Sequence, residues 1–254
     1  MKRLLFLFAL LLSTQLANSR DDALPQLHEN GFFVIRQMID LNNKTYSIPS
    51  GVSLLFTNGG GFSNGYIKTN GDITIVGALF DDVSLYLYGS LRLDNSVFRC
   101  PNKITAIYRS PRGNDSFKSV VIKNSRFIDI GNKVGKQDNS VSAVNLQNVN
   151  KVLISKCEFI NIGNNETNNT SSIIIGTSAS EKEMALSRPN SNIRIEKSLF
   201  DGVSTSPSLT HGVGEEHFIL IEASDNVVID NNSFLNNNEV LEYDNEYTQV
   251  SQVI

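Results

Sequence analysis

Apolar and polar positions recur along this chain in one short phrase: apolar, any, apolar, two polar residues, a small residue, any, Phe. It occurs at 91–98, 120–127, 152–159, 193–200 and 227–234, and in each copy Phe stands five residues after the second apolar position. Alternation with a period of two is the mark of a strand with one buried face. The polar pair and small residue that follow mark a bend. The second apolar residues, Leu93, Ile122, Ile154, Ile195 and Ile229, are separated by 29, 32, 41 and 34 residues. Those intervals hold further apolar, β-branched runs at 143–146, 172–175 and 218–221. A fixed phrase at variable spacing is the signature of stacked repeats. The pattern predicts an all-β chain with three short strands per repeat, a parallel β-helix solenoid of about six or more coils.

The same pattern assigns the core. Leu91, Val120, Val152, Ile193 and Val227 point inward with the residues two further on, and Phe98, Phe127, Phe159, Phe200 and Phe234 form a third inward column. Ser96, Ser125, Cys157, Ser198 and Asn232 mark the bend, and Asn95, Asn124 and Asn231 just before it suit a left-handed corner. Upstream the pattern loosens. Strands are expected at 32–41, 44–48, 52–56, 66–69 and 73–76, with Ile75 and Phe80 as a weak sixth copy and the stack beginning near Asp40.

The first 19 residues carry Lys2 and Arg3, an apolar run at 4–12 and small residues near Ser19. This reads as a secretory signal peptide. The run is too short for a membrane span. A leader is expected at 20–31, the β-helix domain at 32–254, and a location outside the cytoplasm: periplasmic, cell-surface or extracellular. The C-terminal stretch 249–254 is apolar without an obvious cap, so the stack is expected to end in its own cap, under another chain, or at a truncation. Net charge is −4 with both signs dispersed, and no basic stripe points to nucleic acid. Cys100 and Cys157 fall two repeats apart, beyond disulfide reach, and are expected to be free and buried.

Candidate chemistry lies in two places. Glu196 and Asp230 occupy the same outward column on successive repeats, a carboxylate pair suited either to Ca²⁺ or to sharing a proton. The chain also lengthens after the Phe corner at 131–140, 163–171 and 204–216, which stacks loops on one side of the scaffold. These loops carry Lys133, Lys136, His211, Glu215 and Glu216, with His217 close by, an acid–base set.

The phrase at 119–127 and 225–234, with the opening at 39–45, 48–52 and 60–65, resembles the pectin-lyase-like right-handed β-helix superfamily. The resemblance covers roughly 32–240 and implies the right-handed form of the fold. Its enzyme signatures are incomplete here. Asp81-Asp82 stands alone, His211-Gly212 follows Thr210, Arg194-Ile195-Glu196 ends in Glu, and Arg109-Ser110-Pro111 opens a lyase-like motif in a loop without its second Arg. The expectation is therefore a secreted protein that binds or degrades polysaccharide. It is either a lyase on uronate-containing glycans (or a hydrolase), or a non-catalytic glycan-binding or surface adhesion protein, or a truncated enzyme.

Overall fold

The computed structural model describes residues 26–109, 118–135, 140–167, 169–176, 190–204, 216–221 and 224–237. Within them the chain is all-β. The N-terminal strands are β1 (Phe32–Ile35), β2 (Met38–Asp40), β3 (Thr45–Ile48), β4 (Val52–Phe56), β5 (Gly61–Thr69), β6 (Ile73–Val76) and β7 (Leu79–Tyr86). Next come β8 (Leu91–Asp94), β9 (Val97–Arg99), β10 (Thr105–Arg109), β11 (Lys118–Lys123), β12 (Arg126–Ile128), β13 (Val141–Gln147) and β14 (Val149–Ser155). The last are β15 (Glu158–Gly163), β16 (Thr170–Gly176), β17 (Asn190–Glu196), β18 (Leu199–Ser204), β19 (Glu216–Ile221), β20 (Ser224–Asp230) and β21 (Ser233–Asn237). No helix among the described residues is long and apolar enough to cross a membrane. The signal-peptide stretch lies outside them.

The strands pair in parallel and form two sheets. One has eight strands in the order β1-β4-β6-β8-β11-β14-β17-β20. The other has thirteen, running β19-β16-β13-β10-β7-β9-β12-β15-β18-β21, with β5 on β7 and with β2 and β3 on β5. This second sheet has two wings that meet at the long strands β5 and β7. The wing β9-β12-β15-β18-β21 carries the Phe of each phrase; the wing β10-β13-β16-β19 carries the β-branched runs. The stack starts at Phe32, which pairs with Ser53, rather than near Asp40. The sequence pattern predicts the strand at 32–41 but not its place in the stack, because 32–48 lacks the bend-and-Phe half of the phrase.

The register matches the sequence columns. Leu54, Ile75, Leu93, Ile122, Ile154, Ile195 and Ile229 stand opposite one another from strand to strand. Phe62, Phe80, Phe98, Phe127, Phe159, Phe200 and Phe234 do the same. Their rings stack face to face, with centroids 4.2 Å apart at Phe80–Phe98 and 4.9 Å apart at Phe127–Phe159 and Phe159–Phe200, where planes differ by 3°. Six of the seven are fully buried; Phe234, on the last described strand, is 39% exposed. The stacking follows from parallel in-register strands, which place identical side chains one strand spacing apart.

Two kinds of tight corner hold the strands. The first lies between the eight-stranded sheet and the Phe wing, where Gly77, Asn95, Asn124, Lys156, Lys197 and Asn231 have φ between 49° and 75°. Asn supports that conformation because its short polar side chain bonds locally; Lys156 and Lys197 adopt it without that help. Behind this corner runs a hydroxyl ladder. Ser125 Oγ donates to Lys123 O (2.7 Å) and accepts from the Ser96 amide of the preceding repeat (3.2 Å). Ser198 repeats the pattern with Glu196 O (2.9 Å) and the Cys157 amide (3.1 Å). The second corner falls two residues past Phe, where Asn64, Asp82, Asp129, Asn161, Gly202 and Asn236 have positive φ.

Cys100 and Cys157 are free and buried. Burial pushes the Cys100 thiol up to about 12 and the Cys157 thiol up to about 11. Arg109, expected in a loop, is instead the last residue of β10, and its side chain is fully buried. Its neighbours Ile107 and Arg109 share one parity and Tyr108 the other, so the strand sends the guanidinium into the interior.

Candidate functional site: an outward tyrosine strip

Strand parity builds a line of tyrosines on the outside of the second wing. In β5, Ile67 and Thr69 are fully buried, which sends Tyr66 and Lys68 outward. In β7 and just beyond, buried Leu85 and Leu87 send out Tyr86 and Tyr88. In β10, buried Ile107 and Arg109 send out Tyr108. Lys68 stands opposite Tyr86, and Tyr86 opposite Tyr108. The column then continues through Asn145, Ile174 and Leu220.

The rings touch. Tyr66 and Tyr86 centroids are 6.0 Å apart at 41°, and Tyr86 and Tyr108 are 5.8 Å apart at 80°. Two lysines lie on ring faces: Lys68 Nζ is 4.9 Å from the Tyr88 centroid and Lys103 Nζ is 4.3 Å from that of Tyr66. Those are cation–π distances. Partial burial raises the Tyr86 phenol above its usual value, and the Tyr66, Tyr108 and Tyr88 phenols add to the rise. The Tyr86 phenol therefore stays neutral and hydrogen-bonding at physiological pH. Chemically the strip is a set of half-exposed aromatic faces with phenol and ammonium groups at their rims.

The residues singled out from sequence fall elsewhere. Glu196 and Asp230 are opposite each other on β17 and β20, as their shared column requires. Arg194 joins them: its Nε is 2.6 Å from Glu196 Oε2, and its terminal nitrogen is 3.8 Å from Asp230 Oδ2. Ser155 Oγ donates to the other Glu196 oxygen at 3.2 Å. The hydrogen bond from Arg194 holds the Glu196 carboxyl below the usual carboxylate range. A guanidinium thus supplies the positive charge between these two carboxylates. Ca²⁺ takes six to eight oxygen ligands, and among the described residues no group of three or more His, Cys, Asp or Glu side chains gathers to hold a metal.

Lys133 lies exposed in the turn after β12, its amide donating to Pro101 O at 2.9 Å. Glu216 opens β19 opposite Thr170, with His217 opposite Ser171. Lys133 and Glu216 thus belong to the same kind of corner but two repeats apart. Lys136, His211 and Glu215 lie outside the described residues.

The strip itself was not singled out from sequence. Its signal is present: Tyr66, Tyr86, Tyr88 and Tyr108 each alternate with buried aliphatic or polar neighbours. An aromatic at the outward position of a strand is unusual enough to ask about, because that side faces water.

No family model, no curated protein and no solved structure matches this chain.

Proposed function

We propose that the chain is a secreted right-handed parallel β-helix protein that binds an extended polysaccharide on its outer surface and does not cleave it. The observation that carries this reading is the strip Tyr66–Tyr86–Tyr108 with Tyr88, Lys68 and Lys103. Successive rings stand 5.8–6.0 Å apart along the stack, a spacing comparable with the advance per sugar along an extended glycan. Exposed Lys68 suits a chain bearing uronate carboxylates, while Lys103 is buried with its Nζ over the Tyr66 ring. The helical reading draws support from the order in which the chain visits its sheets: β11, β12 and β13 go to the eight-stranded sheet, the Phe wing and the second wing, and β14, β15 and β16 repeat the circuit. Right-handedness follows the rule for crossovers between parallel strands.

The non-catalytic reading rests on the strip's chemistry. Hydrolysis of a glycosidic bond needs two carboxyl groups flanking it, whereas the strip's charged members are lysines; β-elimination, which needs only a base, is what the absorbance arm of the test reads. The test is electrophoresis through gels containing uronate or neutral polysaccharides, with absorbance at 235 nm followed in parallel. Retardation in a uronate gel with a flat absorbance trace is expected. A rising trace, which reports β-elimination, would replace this reading with a lyase.

A further inference from the structure

Round the corner from Tyr88 lies a shallow groove of about 230 Å³ on the outside of the eight-stranded sheet. Its origin is a run of small residues. Gly51, Asp72, Ser90 and Ser119 each immediately precede the first inward residue of β4, β6, β8 and β11, so they form one column. With no side chain at Gly51 and only hydroxymethyls at Ser90 and Ser119, the surface sinks there. Thr74, Arg92 and Val121 make the neighbouring outward column and form the taller wall.

The polar groups are fixed by the strands. Asp72 Oδ1 accepts from the Ser90 amide at 2.7 Å, and Ser90 Oγ accepts from the Ser119 amide at 3.3 Å. This orients the Asp72 carboxylate, which lines the groove. Arg92 is exposed and has no acidic partner among the described residues. The groove thus offers a carboxylate acceptor, a guanidinium donor and hydroxyls.

The groove also continues the strip. Only Gly89 separates Tyr88 from Ser90, and the corner is tight: a Cβ on Gly89 would lie 2.0 Å from the Gly71 carbonyl carbon. Two residues span at most about 7 Å of chain, so Tyr88 and Ser90 flank the same corner.

We propose that this groove binds one neutral pyranose unit, its vicinal hydroxyls bridging Asp72 and Arg92, and that this unit belongs to the polysaccharide on the tyrosine strip. The assignment rests on the glycan reading of the strip. A neutral ring is specified because the Asp72 carboxylate repels an acidic one, while the Asp72–Arg92 pair satisfies donor and acceptor hydroxyls together.

The experiment is an NMR titration of the full folded chain with the methyl glycosides of glucose, galactose and mannose, and with glucuronate. At least one neutral glycoside is expected to shift the amides of Ser90, Arg92 and Ser119 in a saturable way, with glucuronate at least fivefold weaker. Asp72→Asn keeps the acceptor for the Ser90 amide, and Arg92→Gln keeps a polar side chain. Each is expected to weaken the glycoside at least fivefold, while Arg126→Gln, exposed on the Phe wing, leaves it unchanged. No saturable shift with any neutral glycoside, equal or tighter binding of glucuronate, or full affinity in both groove variants would overturn the proposal. Gel retardation by polysaccharide that depends on the tyrosines, alongside a silent groove, sinks the groove alone; retardation lost altogether sinks the strip.

Discussion

At single positions, the repeat sets a rule that Cys157 breaks. It stands where Ser96, Ser125 and Ser198 stand, its Sγ 3.4 Å from Ser155 O. The serines reach the equivalent carbonyl at 2.7–3.0 Å. Cys157→Ser restores the ladder and is expected to change unfolding free energy by less than about 1 kcal/mol. Cys157→Val, which removes both donor and acceptor and adds a methyl, is expected to cost about 1–3 kcal/mol in urea melts. The thiols also predict a pH profile. Cys100 titrates near 12 and Cys157 near 11 when folded, because burial favours the neutral form. In the unfolded chain both ionise near 8.5. Below that value both states hold the protons and stability does not depend on these groups. Above it the unfolded state binds fewer protons, so stability falls as pH rises toward 11, by about 1.4 kcal/mol per pH unit for each thiol. Urea melts from pH 8 to 11 check this, and the Cys100→Ala, Cys157→Ser double variant is expected to flatten the decline.

At the level of strands and corners, the Phe column is the main tie between repeats. Phe127 stacks between Phe98 and Phe159 at 5.1 and 4.9 Å and is fully buried. Phe127→Ala is expected to cost about 3–5 kcal/mol, read as a lower urea midpoint. The same change at Phe234, 39% exposed, is expected to cost well under half of that. At the corners, Asn161 has φ 57° and donates to Asp129 Oδ1 at 2.6 Å. Asn161→Gly keeps the left-handed backbone and loses only the side-chain bond, whereas Asn161→Val is expected to be the more destabilising, by about 1–2 kcal/mol. Five members of the Phe column were plain in the sequence and Phe80 was weakly so, because the anchor-to-Phe offset of five is local. Phe62 was hidden: its anchor is Leu54, eight residues back, since the Gly-rich stretch 57–61 inserts three residues at that corner. The second corner was equally legible and went unread. Asn, Asp or Gly stands two residues after six of the seven Phe, the exception being Cys100, where the chain makes a longer turn.

Over the whole molecule, sequence reasoning found the strands and their inward faces but did not pick out the tyrosine strip. It favoured stretches where acidic and basic residues crowd in sequence, such as 210–217, part of which falls outside the described residues. The strip instead gathers residues about twenty positions apart, Tyr66, Tyr86 and Tyr108, on three different repeats. Only the register brings them together, and register between repeats of unequal length cannot be counted out beforehand. The Glu196–Asp230 juxtaposition was predictable because both lie in the regular phrase. Its closure by Arg194 was also within reach, two residues from Glu196 on the same face of the strand.

The protein has seven Tyr and no Trp, so its intrinsic fluorescence reports on tyrosines, four of which form the strip. The most direct measurement is therefore a tyrosine fluorescence titration with a uronate polysaccharide that retards the protein in gels. A saturable change is expected in the wild-type chain, and a loss of affinity of about tenfold or more in the Tyr86→Ala, Tyr108→Ala double variant. Undiminished affinity in a double variant that melts like the wild type would contradict the account, because the glycan would then sit somewhere other than on the tyrosines.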